Sequence, residues 1–379
     1  MAKLGDICKF QSGGTPSKSN PDFFGGNIPW ITTVALNGGT IGNEDAVEWI
    51  TDIAIQKSAA KVVPQNSVLV GTRVGIGKVA INSVPMSTSQ DVIAMLDIDT
   101  AIWNKNFLCK FIQSKNDFLL SQARGATIKG IKIETLSNMQ VPDIPINEQC
   151  RIATVMDKVG ALIAKRQAQL DKLDLLVKAR FVEITECASQ SVTAEEACSN
   201  IVDCPHSTPK YTGEQKKYPA IRTSEIRNGQ IDWSTMLYVA HEEYQQRVKR
   251  LVPMPGDIVY AREGVYGDCV ILPREYEFCL GQRTMLFRPN YKICTSEYLH
   301  QALRSDSVKR QADQSNAGST VPHVNVTDAK KFEFPLPAIE MQKEFSNFME
   351  RVWRVKNSID RSLEKLETLK KALVQEYFG

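Results

Sequence analysis

The sequence has 379 residues, of which 42% are hydrophobic, and its formal net charge is +3 at pH 7. This length predicts two or three domains, and the hydrophobic content is sufficient for packed cores. No apolar run approaches the roughly 18 residues of a membrane-spanning helix, and the first residues lack the apolar segment of a signal peptide. Nine cysteines without a C-x-x-C pair predict reduced thiols in a cytoplasmic protein. Cys198, Cys204 and His206 lack zinc-finger spacing, and no metal site is expected.

Short β-branched runs between turns that contain Gly and Pro predict an α/β fold for two globular segments. The predicted strands are Ser67–Val70, Val79–Asn82 and Val92–Leu96 in the first segment, and Asp257–Tyr260, Val270–Leu272 and Thr284–Phe287 in the second. One helix is predicted late in each segment, over Lys105–Ala123 and over Ser296–Asp313.

The two segments are related by an internal repeat. Three runs match at slightly different shifts: Asn27–Ile41 with Lys217–Ile231 at 190 positions, Val62–Gly75 with Leu251–Gly264 at 189, and Gly125–Ile128 with Gly318–Val321 at 193. The second match pairs Arg73 with Arg262. A constant order with small changes in offset indicates a duplicated unit with loop insertions.

Two long helices are predicted, over Ile146–Ile184 and from Ile339 to Tyr377, and the second repeats the first at a shift of 193. Apolar residues recur in steps of three and four, which is typical of a coiled-coil seam. The predicted seam is Ile152, Val155, Val159, Leu162, Leu170, Leu173, Val177, Phe345, Phe348, Val352, Val355, Ile359, Leu366, Leu369 and Leu373. About 37 residues at roughly 1.5 Å each give a rod of about 55 Å. We expect the two rods to pack on each other. Two ordinary core helices of one large domain are the alternative.

Prolines mark the junctions between the globular segments and the helices, at Pro142–Pro145 and Pro335–Pro337. Proline disfavours helix at the preceding residue and permits a helix to begin after it. The predicted domains are therefore 1–145, a helix over 146–184, 185–337, and a second helix over 338–379.

The segment Gly71–Val79 follows an apolar strand and superficially resembles a phosphate-binding loop. One residue too many separates its glycines, and Val79 stands where Ser or Thr must contact magnesium. The second copy, Ala261–Asp268, lacks the lysine, so nucleotide binding is not predicted. Both copies keep a strand, an arginine and a glycine turn. Such an arginine suits bidentate contact with guanine or phosphate, and a plain hairpin with an exposed arginine is the alternative.

The loops Gly125–Ile133 and Gly318–Val324 combine small residues with hydroxyl and basic groups. Loops of this kind can approach a sugar-phosphate backbone, although a turn that connects helices is an equally simple interpretation. The candidate DNA-binding residues are basic or stacking-capable residues in or near these turns and loops. They are Arg73, Lys78, Arg124, Lys129, Lys132, Arg222, Arg262, Tyr266, Arg283 and His323.

No catalytic residues are predicted. The segment Asn20–Phe23 lacks the second proline of the amino-methyltransferase motif, and no glycine-rich methyl-donor loop follows a strand elsewhere. The four histidines have no paired Ser or Cys at corresponding positions of the two copies.

Charge is nearly balanced in each globular segment, with 13 basic and 12 acidic residues over 1–145 and 18 and 19 over 185–337. A protein that binds nucleic acid by itself through backbone charge is usually more basic. Either nucleic acid is not the ligand, or a partner supplies much of the phosphate contact.

The sequence resembles the specificity subunits of type I restriction–modification systems. The resemblance covers essentially the whole chain and rests on six motifs: Leu4–Ile7, Gly13–Pro16, Ile28–Ile31, Arg73–Gly77, Ala126–Ile128, and Pro145–Ile152 before the first helix. The second half departs from the pattern at Cys204–Pro209, which stands at the Gly-Gly-Thr-Pro position, and at Met341–Lys343.

The resemblance implies two target recognition domains, each reading one half of a split, asymmetric site in double-stranded DNA, joined by an antiparallel pair of helices. The helices would set the distance between the half-sites and dock two methylation subunits, which join restriction subunits in the complex. The chain itself would have no catalytic activity and no cofactor, since the partners would bind the methyl donor, ATP and magnesium. A coiled-coil adaptor that joins two divergent protein-binding domains without DNA contact is the alternative.

Overall fold

The computed structural model describes residues 1–125, 129–212, 217–264, 266–315 and 323–379. The chain divides into two compact units. Unit 1 comprises Met1–Gln167 and Arg361–Gly379, and unit 2 comprises Ala168–Asp360. These units differ from the predicted domains, because each contains part of both long helices.

Unit 1 combines short strands with helices. Its strands are β1 (Ala2–Lys3), β2 (Lys9–Ser12), β3 (Phe24–Ile31), β4 (Thr40–Ile41), β5 (Glu48–Ile50), β6 (Val62–Val63), β7 (Val68–Gly71), β8 (Val79–Asn82), β9 (Met86–Thr88), β10 (Val92–Leu96) and β11 (Gln140–Val141). Its helices are α1 (Leu4–Ile7), α2 (Asp52–Lys57), α3 (Lys105–Ser114), α4 (Asn116–Ser121), α5 (Ile133–Ser137) and the first part of α6 (Ile146–Glu186). Short 3-10 turns cover Pro21–Phe23 and Asn43–Asp45.

Two mixed sheets form the centre of unit 1. The first has the strand order β2-β10-β7-β8-β4, in which only β4 and β8 run parallel. The second has the order β5-β3-β9-β6, and β1 pairs separately with β11. One apolar core joins the first sheet to α3, α6 and the end of the chain through Val70, Met95, Phe107, Ile152 and Phe378.

Unit 2 repeats this plan. Its strands are β12 (Ser191–Thr193), β13 (Cys198–Asp203), β14 (Tyr211–Thr212), β15 (Tyr218–Ile221), β16 (Ile226–Arg227), β17 (Gln230–Ile231), β18 (Leu237–Val239), β19 (Ile258–Ala261), β20 (Cys269–Ile271), β21 (Cys279–Leu280), β22 (Thr284–Pro289) and β23 (Glu333–Pro335). Its helices are α7 (Ala194–Ala197), α8 (His241–Arg247), α9 (Ser296–Leu303), α10 (Asp306–Ser315), α11 (Val326–Lys330) and most of α12 (Ile339–Phe378). Short 3-10 turns cover Thr223–Glu225 and Trp233–Thr235.

The main sheet of unit 2 has the order β13-β22-β19-β20, which repeats β2-β10-β7-β8 of unit 1. A second sheet has the order β14-β18-β15-β21, and β12-β23 and β16-β17 form two-stranded sheets. The predicted α/β fold class, duplicated along the chain, is confirmed.

The predicted strands agree closely with the observed ones, whereas each predicted helix of the globular segments is divided in two. β8 and β10 have their predicted bounds. Lys115, with φ −95° and ψ 16°, separates α3 from α4 within the predicted helix Lys105–Ala123. In the predicted helix Ser296–Asp313, the hydroxyl of Ser305 accepts a hydrogen bond from the amide of Val308 (3.3 Å). Ser305 thus acts as the N-cap of a new helix, α10.

The long helices run antiparallel within each unit. In unit 1 the guanidinium of Arg151, near the start of α6, lies 5.7 Å from the ring centre of Tyr377, near the end of α12. In unit 2 the ring centres of Phe181 and Phe345 are 6.0 Å apart. The ammonium of Lys356 also lies 2.7 Å from the Asp174 carboxylate. Each contact joins the first half of one helix to the second half of the other.

The observed seam differs in phase from the predicted one at three positions. Leu162, Val355 and Leu369 are exposed, whereas Met156 and Met349 are buried in the seam. Steps of three and four fit two phases equally well, and the buried methionines select the phase that turns Leu162 and Val355 outward. The remaining predicted seam residues are buried or half-buried: Ile152, Val155, Val159, Leu170, Leu173, Val177, Phe345, Phe348, Val352, Ile359, Leu366 and Leu373.

One buried glutamine attaches the start of each long helix to the globular part of its unit. The side-chain oxygen of Gln149 accepts a hydrogen bond from the main-chain amide of Asn104 (2.8 Å). Its side-chain nitrogen donates to the main-chain carbonyls of Ile102 and Ile144 (2.9 Å each). Gln342, 193 positions later, makes the corresponding three bonds. They join it to the Thr295 amide and to the carbonyls of Ile293 and Pro337.

Candidate nucleic-acid interface

In unit 1 the glycine turn that contains Arg73 lies against the loop that begins at Gly125. The amide of Ile131 donates to the carbonyl of Thr72 (2.8 Å). Gly130 packs so closely on the Arg73 side chain that a Cβ there would lie 2.9 Å from Arg73 Cγ. Two segments selected separately from the sequence therefore meet at one end of the main sheet. Residues 126–128 of the predicted loop lie outside the described part of the chain.

Unit 2 has the same arrangement. The amide of Val324 donates to the carbonyl of Arg262 (2.8 Å), and Glu263 forms an isolated antiparallel bridge with His323. The His323 imidazole also lies 3.1 Å from the side-chain oxygen of Asn325. Residues 318–322 of the predicted loop fall outside the described ranges.

The strand register shows that Arg262 corresponds to Thr72 and that Arg73 corresponds to Glu263. Val68 pairs with Ile81 in unit 1, and residues 190 positions later, Ile258 and Ile271, pair in unit 2. The predicted equivalence of Arg73 and Arg262, at a shift of 189, is therefore wrong. The connection from Pro253 to β19 is one residue longer than the connection from Pro64 to β7.

Arg262 forms an ion pair within unit 2. Its Nη1 lies 2.6 Å from each carboxylate oxygen of Asp203, and its side chain is 13% exposed. In unit 1 the corresponding strand positions hold the uncharged residues Thr72 and Ser12. Arg262, which follows β19, is therefore held by β13, two strands away in the same sheet.

Arg222 and Tyr266 are also engaged inside unit 2. The guanidinium of Arg222 donates from Nε to the buried carboxylate of Glu225 (3.1 Å) and from Nη2 to the Thr235 carbonyl (2.9 Å). The hydrogen bond that Arg222 donates to the Glu225 carboxylate raises the pKa of Arg222. The Tyr266 hydroxyl donates to the carboxylate of Asp313, and this bond raises the pKa of the phenol.

The remaining candidates lie at the surface. His323 is half-buried, and the exposed cations are Arg73, Lys78, Arg124, Lys129, Lys132 and Arg283. Two acidic residues that the sequence reasoning did not select lie beside the arginines. Arg73 Nη1 is 3.8 Å from Asp91 Oδ1, and Arg283 Nε is 2.9 Å from Glu263 Oε2. Gln90 and Gln282 immediately precede Asp91 and Arg283, and these matching glutamines were the available signal that the two positions correspond.

The described residues contain no group of three or more His, Cys, Asp or Glu side chains positioned to hold a metal ion. Seven of the nine cysteines are buried, and none is in a disulfide. Burial raises the pKa of the Cys109 thiol to about 12, so this thiol is protonated at neutral pH. Across the described part of the chain, no helix is long and apolar enough to cross a membrane.

Two parts of the chain, residues 1–173 and 206–370, match the family model described as the type I restriction modification DNA specificity domain. The chain belongs to this family. Over 98% of its length it is 23% identical to the type I restriction enzyme MjaVIII specificity subunit of Methanocaldococcus jannaschii, covering 89% of that relative. It is 32% identical to the EcoR124I/EcoR124II specificity subunit of Escherichia coli over 42% of this chain and 40% of the relative. A match to the MjaIX specificity subunit of M. jannaschii, at 28% identity, spans 42% of that relative.

Solved structures of the family have the same fold. The S subunit of a type I restriction-modification system from M. genitalium matches with a TM-score of 0.61 at 14% sequence identity, covering 100% of this chain and 95% of that one. A chain from a study of complex assembly and conformational transition of the type I R-M system matches with a TM-score of 0.56, covering 100% and 96%.

Proposed function

We propose that this chain is the non-catalytic DNA sequence-recognition subunit of a type I restriction–modification complex. Each unit would read one half of a bipartite, asymmetric site in double-stranded DNA. The observation that carries the proposal is the repeated end of the main sheet. In both units the turn after β7 or β19 is hydrogen-bonded to a distant loop. This turn also carries one member of an arginine–acid pair whose arginine is exposed.

The balanced charge of the chain supports a role within a larger complex. A net charge of +3 over 379 residues gives little of the phosphate attraction that dominates the affinity of autonomous DNA-binding proteins. Two methylation subunits would supply that attraction, bind the methyl donor and carry out the chemistry. Restriction subunits, with ATP and magnesium, would add cleavage in the cytoplasm.

The long helices are proposed as the docking surface for the methylation subunits. Leu162 and Val355 are 193 positions apart, as are Leu176 and Leu369, and all four side chains are exposed. The internal repeat thus provides the same exposed apolar residues twice, which suits two copies of one partner.

The deciding experiment maps methylated adenines in host cells with and without this gene. We expect a bipartite motif that is methylated only when the chain is present. A parallel binding experiment uses randomised duplex DNA with the purified chain alone and with its methylation subunits. Sequence-specific binding should require the complex, and a coiled-coil adaptor would give no specific binding in either form. Tight, specific binding by the chain alone would contradict the proposed need for partners.

A further inference from the structure

Equivalent positions of the two units hold an ion pair with exchanged charges. Arg73 and Glu263 are the second residues after β7 and β19, in the same register and at a shift of 190. Asp91 and Arg283 immediately precede β10 and β22, whose first residues pair with Gly71 and Ala261. Unit 1 therefore has the arginine on the turn and the acid before the next strand, and unit 2 has the reverse.

In both units the arginine is the more exposed partner. The side chains of Arg73 and Arg283 are 48% and 65% exposed, whereas those of Asp91 and Glu263 are 27% and 25% exposed. The more buried acid lies close enough to restrain the guanidinium, at 2.9 Å for Arg283 and 3.8 Å for Arg73. Adjacent strands are about 4.8 Å apart. The backbone position that carries the arginine side chain is therefore displaced by about one strand between the two units.

Two further features hold Arg283 in place. Its φ of 64° is in the left-handed region, which is uncommon for a residue other than glycine. Its carbonyl accepts a hydrogen bond from the amide of Arg262 (3.0 Å). Together with His206 and Gln282, Glu263 and Arg283 line a surface cavity of about 210 Å³, so the pair borders open space.

We propose that Arg73 in unit 1 and Arg283 in unit 2 are the base-reading arginines, each contacting a guanine, and that Asp91 and Glu263 are positioning residues. This inference rests on the proposed function and assigns its specificity to particular side chains. A bidentate contact with guanine O6 and N7 needs a guanidinium fixed in one orientation, which the neighbouring carboxylate supplies. The carboxylate also offsets the cation's charge and thereby reduces its attraction to phosphate of any sequence. Because the arginine lies on a different strand in each unit, it would contact a base at a different position of each half-site, although the two units share one fold.

The test uses the full chain assembled with its methylation subunits and a pool of duplex DNA with randomised half-sites. Arg283→Gly keeps the left-handed backbone without strain and removes the guanidinium. We expect it to lose preference for guanine at one position of one half-site, with affinity for that site lowered roughly 5- to 150-fold. The other half-site should be unchanged. Lys292→Ala, an exposed cation beyond the far end of β22, is the control.

Glu263 is tested by Glu263→Gln and Glu263→Asp. A positioning role predicts that the amide variant relaxes the base preference while the shorter acid largely restores it. The double variant Arg73→Glu/Asp91→Arg gives unit 1 the charge arrangement of unit 2, and it should change the base preferred in the first half-site only. Lys9→Ala is its control, because Lys9 pairs with Asp97 (2.9 Å) at the opposite end of β10.

The outcomes separate the inference from the proposed function. Equal losses on all sequences, with a weaker salt dependence, would show phosphate contact and overturn the inference. Unchanged base preferences in folded variants would also overturn it. If the assembled wild-type complex binds no sequence specifically, the proposed function itself fails. Arg283→Gly decides the matter even where the double variant does not fold.

Discussion

Arg262 donates both of its short hydrogen bonds to Asp203, the last residue of a strand in its own sheet. Removing one member of a largely buried ion pair leaves the other charge without compensation. We expect Arg262→Ala to lower the free energy of unfolding by about 2 kcal/mol, less than for a fully buried pair because both side chains retain some exposure. Chemical denaturation measures this change.

The double variant Arg262→Thr/Asp203→Ser serves as the comparison, since it installs the uncharged residues of unit 1. It should recover at least half of the loss, because neither charge is then left alone. Equal destabilisation by the single and double variants would show that the pair contributes through packing and not through charge.

Gln149→Ala should lower the free energy of unfolding by about 3 kcal/mol. It removes three hydrogen bonds and leaves a backbone amide and two carbonyls without a partner near the start of α6. Gln342→Ala should have a similar effect, whereas the exposed Gln65→Ala should change stability by less than about 0.5 kcal/mol. A loss near that of Gln65→Ala would mean that water replaces the side chain at no cost.

Gly160→Ala should stabilise the isolated chain by about 0.5–1 kcal/mol. Gly160 lies within α6, and a Cβ there would meet no atom within 4 Å. Alanine therefore gains helix propensity without a clash. Thermal unfolding of the two forms measures the difference, and a lower melting temperature would contradict it. Gly160 also lines a cavity of about 750 Å³ in unit 1, so co-purification with the proposed methylation subunits should be compared in parallel.

The stability of unit 2 should decrease as the pH falls below 7. Burial, assisted by Arg304, lowers the pKa of His300 to about 3, while Asp268 and the Cys269 carbonyl act in the opposite direction. The unfolded chain then binds a proton near pH 6.5 that the folded chain does not bind. Stability is retained above pH 6.5 and decreases by about 2 kcal/mol between pH 7 and pH 5.

His300→Gln removes this titration and can still donate a hydrogen bond to Cys269. The difference in unfolding free energy between pH 7 and pH 5 should therefore be smaller in the variant by about 2 kcal/mol. An identical pH dependence in the two proteins would exclude His300 as the cause.

The distance between half-sites should depend on the length of the long helices. Inserting four residues after Arg166 and four after Ile359 adds about 6 Å to each helix. We expect the spacer between unchanged half-sites to lengthen by about one or two base pairs, at roughly 3.4 Å each. Methylation mapping measures the spacing once circular dichroism and co-purification have shown that the variant folds and assembles. A folded variant that methylates the original spacing would leave the helices with a docking role only.

The sequence predicted the fold best where one local pattern allowed one interpretation. The bounds of β8 and β10 follow from β-branched runs between turns. Gln149 and Gln342 stand 193 positions apart in the first turns of two proline-free helices. The seam phase was ambiguous because Val155 and Met156 both fit a step of three or four. Burial of Met156 against the rest of unit 1 decides between them, and that packing involves residues far away in the sequence.

The candidate site could be located from the sequence but not aligned. An alignment of the two halves that maximises sequence identity matches Arg73 with Arg262. The strand pairs show instead that Arg73 is equivalent to Glu263. The pairing of β7 with β8 and of β19 with β20 fixes the register. An alignment that matches the two arginines does not detect the one extra residue after Pro253. Asp91 and Asp203 were missed for a related reason. Asp91 meets Arg73 across two neighbouring strands, and Asp203 meets Arg262 across the intervening strand β22.

The hydrogen bonds of Gln149 and Gln342 are all to main-chain atoms. Every residue type except proline offers the same amide, and every residue offers the same carbonyl, so these attachments do not depend on the side chains of the globular part. Mutations can therefore replace surface side chains of a unit without removing the hydrogen bonds that attach it to the long helix. We call each of these attachments a joint. The same property would let one globular part be exchanged for another at either joint. On the proposed function, such an exchange would change one half-site and leave the other unchanged.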